Sequence, residues 1–188
     1  MSTATAEATK VRRLEIGSGN RPTPGFEHLD FDPNLPDLQY CADFRNLTFI
    51  ESDAFDEILS VHCIEHIPWR EIKACVKEWV RVLKPGGRIR VATPSLRFIC
   101  EAYSSPTDEI WMKDYNIMTP EEQGHLQIDG VPNKALWANF KLFSSSAGFD
   151  NHFACLTGEN LCAYLKEAGC SQARITADVD SLVVDAVK

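Results

Sequence analysis

Two stretches of the chain have the apolar spacing of amphipathic helices. Over residues 69–83, apolar side chains recur at spacings of three and four and share one helix face: Ile72, Val76, Trp79, Val80 and Leu83. The proline and glycines of residues 84–87 predict the end of that helix. A further helix is predicted over residues 157–168, with Thr157 as its N-cap and Gly169 just past its end.

Short apolar runs bounded by turn residues predict the strands. They cover residues 11–16, 26–33, 38–43, 55–62, 88–94, 173–176 and 181–187. Another helix is predicted to start within residues 96–103. Strands that alternate with helices are typical of an α/β fold with a twisted, mostly parallel sheet.

The connection between the first two strands is short. Gly19 and Asp30 are 11 positions apart, and Pro22, Pro24 and Gly25 between them disfavour a helix. Parallel strands are normally joined by a longer crossover that contains a helix. We therefore predict that the first crossover is shortened to a loop.

Length and composition indicate one globular domain over residues 11–188. The chain has 188 residues, of which 44% are hydrophobic and 24% are charged. Residues 1–10 are small and polar, which predicts a disordered leader without a secretory signal. Over residues 104–150 the periodicity fades, which is typical of an insert that covers a functional site or is partly disordered.

Charge and cysteine content narrow the class of protein further. The net charge of −8 disfavours a nucleic-acid-binding surface. No apolar run approaches the roughly 20 residues that span a bilayer, so we expect no membrane partner and a cytoplasmic location. The seven cysteines include no Cys-x-x-Cys pair. They are therefore predicted to be buried free thiols, and neither a disulfide framework nor a zinc ribbon.

The first strand ends in a turn that contains Gly17 and Gly19. Glycine permits positive φ and lets a ligand approach the backbone closely. At the carboxyl edge of a parallel sheet, such a turn often contacts a nucleotide-like ligand. Two glycines by themselves favour an ordinary exit from a strand, so the rest of the chain has to decide.

Five short motifs follow one another in a diagnostic order. They are Leu14-Glu15-Ile16-Gly17-Ser18-Gly19, His28-Leu29-Asp30, Ala42-Asp43-Phe44, Phe55-Asp56-Glu57-Ile58 through Ile64-Glu65-His66-Ile67, and Arg81-Val82-Leu83-Lys84-Pro85-Gly86-Gly87. The set resembles class I S-adenosylmethionine-dependent methyltransferases of the small type 11 kind, over most of residues 12–103 and 152–187. The resemblance implies a Rossmann-like three-layer sandwich whose sheet has about seven strands, the last of them antiparallel.

The resemblance also implies S-adenosylmethionine as the cofactor. Asp30 would accept hydrogen bonds from the two ribose hydroxyls, with Asp32 as the substitute. Asp43 and Phe44 would lie beside the adenine. The glycine turn would contact the methionine part of the cofactor through Glu15, Gly17, Ser18 and Gly19. The residues at the ends of the second and fourth strands that would contact the cofactor are Phe31, Val61 and His62. Alternatively, Glu15 steadies the loop, or Glu15 and Asp32 are solvated acids.

His62 to His66 spell His-x-x-Glu-His. On a helix, His62, Glu65 and His66 would form the inverted zinc-protease motif, a remote alternative of a metal-dependent hydrolase. A strand that ends near Val61 and the nearby Pro68 argue against that helix, and we assign no metal ligand. A divalent ion held beside a substrate hydroxyl stays open for the same three residues.

Histidines and aromatic residues supply the candidates for the acceptor side. His66 or His152 could act as a general base for a hydroxyl acceptor, with His125 as a rival, although each could equally be a structural histidine. Four aromatic residues of the insert could line an acceptor pocket or attach the insert to the core: Trp111, Tyr115, Trp137 and Phe140.

The sequence thus predicts methyl transfer from S-adenosylmethionine to a small-molecule or sugar-like (glycan-like) acceptor. The alternative is a non-catalytic methyltransferase-like module that acts through a partner, and it is motivated by the missing first crossover helix.

Overall fold

A computed structural model describes residues 11–143 and 151–188 of the chain. The predicted leader of residues 1–10 and the end of the insert, residues 144–150, lie outside the described residues. The strands are β1 (Arg13–Ile16), β2 (Glu27–Asp30), β3 (Leu38–Cys41), β4 (Phe55–Val61), β5 (Leu83–Pro94), β6 (Gln127–Ile128), β7 (Val131–Pro132), β8 (Gln172–Asp178) and β9 (Ser181–Val187). The helices are α1 (Ile72–Val82), α2 (Leu96–Ser104), α3 (Glu109–Asn116), α4 (Pro120–His125), α5 (Lys134–Phe143) and α6 (Gly158–Glu167).

Seven of these strands form one sheet in the order β3-β2-β1-β4-β5-β9-β8. The pairs from β3 to β5 are parallel, whereas the last strand, β9, runs antiparallel between β5 and β8. The predicted α/β class, the seven strands and the antiparallel last strand are thereby confirmed. The carboxyl ends of β1, β2 and β4 meet at one edge, where ligands bind in open parallel sheets.

The main hydrophobic core lies on one face of the sheet, against α1 and α6. Ile58, Ile89 and Val184 from three adjacent strands are each at most 1% exposed. The apolar face of α1 packs onto them with the residues that the spacing predicted, among them Val76 and Trp79. Thr157 caps α6, as predicted, by accepting a hydrogen bond from Asn160 N.

The opposite face of the sheet carries charged side chains. Neighbouring strands place Arg13 across from Glu57, and Glu57 across from Arg88. Ion pairs of 3.1 Å and 2.7 Å join Arg13 to Glu57 and Arg90 to Asp185. A groove of about 550 Å³ runs along this face. These cross-strand pairs let a sheet face remain solvated.

The missing crossover helices explain this charged face. Right-handed crossovers that run in opposite directions along a sheet lie on opposite faces of it. The crossover from β4 to β5 contains α1 and runs one way, whereas those from β1 to β2 and from β2 to β3 run the other way. Helices in these two connections would therefore pack on the charged face. Both connections are loops in the structure. The predicted shortening of the first crossover is confirmed. Of the three layers that the resemblance implied, the layer on this face lacks the two helices that these connections would supply.

The insert is more regular than its weak periodicity predicted. Over its described part, residues 104–143, it contains α3, α4, the β6–β7 hairpin and α5. Together with α2 these elements form a second hydrophobic cluster, in which Trp111, Tyr115 and Trp137 are at most 4% exposed. Three of the four aromatic residues proposed for an acceptor pocket therefore pack against one another, which favours the attachment role over the lining role.

Candidate functional site

The glycine turn after β1 is held against the end of β2. Gly17 and Gly19 adopt φ of +73° and +56°, and Gly17 N donates to Leu29 O at 2.8 Å. A Cβ on Gly17 would lie 2.6 Å from the Cβ and Sγ of Cys63. Position 17 therefore requires glycine both for its backbone angle and for its contact with Cys63.

Asp30 joins the two strand ends at this edge. Its side chain is buried, Oδ2 accepts from Gly19 N at 3.0 Å, and Oδ1 accepts from Phe31 N at 2.8 Å. Oδ1 also accepts from Asp32 N at 3.3 Å, and a buried carboxylate that accepts three backbone N–H groups is fixed in orientation. Its Oδ2 still has a lone pair for a further donor. Asp32 lies on the following loop, where Oδ1 accepts from Asn34 N.

Glu15 points away from the main core and anchors the loop that replaces the first crossover helix. Its carboxylate accepts from Thr23 N at 2.7 Å and from Thr23 Oγ1 at 2.6 Å, and it lies 2.9 Å from His28 Nδ1. Glu15 and His28 are both buried. These contacts agree with the loop-steadying role, and the sequence carried no signal that Thr23 would be the partner.

Ser18 lies between the two glycines with its side chain buried. Its hydroxyl has no hydrogen-bond partner among the described residues. A buried hydroxyl without a hydrogen-bond partner costs about 1–3 kcal/mol. A ligand with a polar group at this turn would recover that free energy by forming a hydrogen bond to Ser18. The groups at this turn fit a cofactor that carries hydroxyl and amino groups. They are the unpartnered hydroxyl of Ser18, the buried carboxylate of Asp30, and two glycines that let a ligand approach the backbone.

Asp43 and Phe44 follow β3 at the same edge. Arg45 holds the Asp43 carboxylate through its guanidinium at 2.6 Å and through its backbone N at 2.9 Å. These hydrogen bonds lower the pKa of Asp43. The Phe44 side chain is half-buried against the core, and its carbonyl accepts from Trp79 Nε1 at 2.8 Å. Phe31, on the loop after β2, is 41% exposed.

The His-x-x-Glu-His stretch does not form an α-helix. His62 has a left-handed backbone with φ of +50°, and a single 3₁₀ turn covers Ile64–His66. The two histidines of the motif therefore do not lie one helical turn apart, and the hydrolase alternative is not favoured. Val61 and His62 are exposed at the end of β4.

Glu65, His66 and His152 converge next to this turn. Each offers one ligand atom, and the three atoms lie within 4.8 Å of one another. The rings of His66 and His152 meet edge to face at 5.0 Å. The chain after the insert is attached here, since Glu65 O accepts from Phe153 N at 2.8 Å.

Glu65 is 1% exposed and its Oε2 accepts from Thr93 Oγ1 at 3.0 Å. Burial lowers the pKa of His152; the charge of Glu65 opposes that shift and His66 adds to it. The sequence grouped Glu65 with His66 in one motif, but neither their proximity to His152 nor the contact of Glu65 with Thr93 had a signal in the pattern. His125 lies at the exposed end of α4, outside this cluster.

The thiols are free, as predicted, but not uniformly buried. Cys63, Cys75 and Cys170 are buried, whereas Cys41, Cys100 and Cys155 are exposed. The expectation of buried thiols was therefore wrong for the second set. Cys41 lies on the edge strand β3, and Cys100 and Cys155 lie where the insert meets the rest of the chain, so none of these three has core packing over it.

Within the described residues, 11–143 and 151–188, no helix combines the length and apolar character needed to cross a bilayer.

Residues 25–91 match the family model described as a methyltransferase domain. An S-adenosylmethionine-dependent methyltransferase from Thermotoga maritima, described as a possible histamine N-methyltransferase, shares the fold with a TM-score of 0.59 and 14% identity, over 95% of this chain and 83% of that one. An S-adenosylmethionine-dependent methyltransferase from Archaeoglobus fulgidus gives 0.60 and 11%, over 95% and 86%. The methyltransferase CalH, solved with S-adenosylhomocysteine, gives 0.51 and 15%, over 95% and 51%. No curated protein sequence matches the chain.

Proposed function

We propose that the chain is an S-adenosylmethionine-dependent methyltransferase that methylates a small-molecule or sugar-like acceptor. The match of residues 25–91 to a methyltransferase-domain model and the shared fold support this proposal. The observation that carries the proposal is the arrangement at the end of β1 and β2. There, the buried Asp30 carboxylate braces Gly19 beside the unpartnered Ser18 hydroxyl.

S-adenosylmethionine supplies a sulfonium-bound methyl group, which is a strong electrophile. On the cofactor side, Asp30 would accept from the ribose diol through the Oδ2 lone pair that the backbone N–H groups of Gly19, Phe31 and Asp32 leave free. Asp43 would accept from the adenine amino group, and Phe31 and Phe44 would pack beside the ring. Ser18 would gain the polar partner that it lacks, and Gly17 and Gly19 would let the methionine part approach the backbone.

On the acceptor side, the described part of the insert would cover the site, with Glu65, His66 and His152 below it. His66 and His152 each present an imidazole nitrogen toward the cluster, and one of them would accept the proton of an acceptor hydroxyl. Alignment of the acceptor with the methyl group would supply much of the rate, so this proton transfer is a secondary contribution.

The main argument for a non-catalytic module was the missing helix of the first crossover, and the structure weakens that argument. It depended on a glycine turn without a helix behind it, but Glu15 fixes the replacement loop through two hydrogen bonds to Thr23. A fixed loop can support the turn as a helix would.

Calorimetric titration with S-adenosylhomocysteine tests the cofactor assignment. We expect Asp30→Asn to weaken binding at least tenfold, because a charge-assisted hydrogen bond to the ribose is worth about 1.5–3 kcal/mol. Asp32→Asn, two positions on, is the matched control and should bind within about threefold of the unchanged protein. An unchanged protein that binds no S-adenosylhomocysteine would overturn the proposal, and a loss confined to Asp32→Asn would move the ribose site.

A further inference from the structure

We propose that Glu65, His66 and His152 form a binding site for a divalent first-row transition-metal ion. Two imidazoles and one carboxylate contribute atoms within 4.8 Å of one another. In a tetrahedral site with bonds of 2.0–2.1 Å, ligand atoms are about 3.3 Å apart, so modest side-chain rotations would close the cluster around an ion. This set differs from the His62, Glu65 and His66 set of the sequence motif.

Both imidazoles have the backbone contacts that histidine ligands usually have. His66 Nδ1 lies 3.2 Å from Asn151 O, and His152 Nδ1 lies 3.3 Å from Lys141 O. A carbonyl oxygen can only accept, so each Nδ1 carries the proton and each Nε2 keeps a free lone pair. Backbone carbonyls that fix the tautomer in this way are the usual outer partners of histidine ligands.

The carboxylate is also held in place. Glu65 is 1% exposed, Oε2 accepts from Thr93 Oγ1, and Oε1 lies 3.2 Å from His62 Nδ1. A carboxylate this deeply buried is expected to be paired with a cation or to coordinate a metal ion. His62 is a weak partner for this purpose, because its side chain is 49% exposed and water screens its interaction with the carboxylate.

The ligand set selects the class of metal. Imidazole nitrogens favour zinc, cobalt, iron, nickel or copper, whereas magnesium and calcium prefer oxygen ligands. Three protein ligands leave at least one coordination position open. His66 is half-buried and gives the ion a path from solvent.

The inference rests on the proposed function and deepens it, because an ion held beside the end of β4 would present its open position to the acceptor. An ion there would bind an oxygen of the acceptor and lower the pKa of a bound hydroxyl. It would take the place of a histidine general base, because the metal would then occupy the free lone pair of each imidazole. The acceptor class would then be a molecule with a metal-binding oxygen. Metal affinity is measured without S-adenosylmethionine, so it can fail while the methyltransferase proposal stands, and the reverse also holds.

Cobalt(II) titration of the metal-free protein, followed by its visible d–d absorption and by competition with zinc(II), tests the site. We expect one ion per chain. His152→Ala and Glu65→Gln should each weaken affinity more than tenfold, a loss larger than most outer-partner changes give. His125→Ala, a histidine outside the cluster, should leave affinity unchanged, and His62→Ala should lower it by less than tenfold. Circular dichroism checks that each variant is folded, and His152→Gln serves if His152→Ala is not.

Three results would overturn the site. One is the absence of cobalt binding, and another is affinity that survives His152→Ala or, if that variant is unfolded, His152→Gln. The third is an intense thiolate-to-cobalt charge-transfer band, which would assign the ion to the exposed cysteines.

Discussion

Glu15 and Thr23 are joined by two hydrogen bonds, of 2.7 Å to the Thr23 backbone N and 2.6 Å to its hydroxyl. This pair ties the middle of the first crossover to the strand that precedes the glycine turn. The loop that contains Thr23 replaces the helix of the first crossover. The two hydrogen bonds to Glu15 fix this loop, so it can support the glycine turn without a helix.

Replacing Glu15 should therefore destabilise the protein. Glu15→Ala leaves Thr23 N and His28 Nδ1 without their buried acceptor, and we expect a loss of about 2–3 kcal/mol in the free energy of unfolding. Glu57→Ala is the matched control, because Glu57 forms a partly exposed ion pair with Arg13 and should contribute less than about 1 kcal/mol. Urea denaturation measures both. Equal losses would contradict a special role for Glu15.

Gly17 should tolerate no side chain. In Gly17→Ala, the left-handed backbone angle and the approach to Cys63 together should lower stability by about 2–4 kcal/mol. Gly124→Ala provides the comparison, because nothing lies within 4 Å of a Cβ there and Gly124 is inside α4. That variant should be neutral or stabilised by up to about 1 kcal/mol. A Gly17→Ala protein with unchanged thermal midpoint would refute the contact with Cys63.

Truncation of two adjacent residues of β4 should destabilise the protein by unequal amounts, since their side chains face the two sides of the sheet. Ile58 is 0% exposed in the main core, so Ile58→Ala should lower the free energy of unfolding by about 2–5 kcal/mol. Leu59 is half-buried on the charged face, and Leu59→Ala should cost about 1 kcal/mol or less. If the two variants have the same urea midpoint at equal slope, the charged face is covered in solution.

Thiol reactivity should divide the cysteines into two groups. With a thiol-specific chromogenic reagent at pH 8, we expect the exposed Cys41 and Cys100 to react first in the folded protein. Cys155 is exposed as well but should react more slowly, because burial raises the pKa of its thiol. Cys63, Cys75 and Cys170 should react only after denaturation, because burial raises their pKa values, that of Cys170 to about 11. Mass spectrometry of the labelled peptides identifies them, and early labelling of Cys63 would show that the turn opens.

Much of the fold was determined by the sequence alone. The spacing of Val76 and Trp79, the cap at Thr157 and the turn at Gly17 and Gly19 are local features, and each predicted helix and strand is present. One boundary was wrong, because Leu83, assigned to the helix, and residues 84–87, assigned to the turn after it, belong to β5. Periodicity reports which face of an element is buried, and turn residues report where the element ends. The first crossover was likewise predicted correctly, because two prolines and a glycine exclude a helix over so short a stretch.

Only the tertiary structure decided which distant residues meet. Glu65 and His152 come together because the chain after the insert hydrogen-bonds to the backbone of the 3₁₀ turn. The aromatic residues of the insert pack on one another. The ion pair between Arg13 and Glu57 depends on the register of β1 against β4. Contacts of this kind arise from packing between elements, which leaves no period in the local sequence, whereas the elements themselves arise from neighbours in the chain.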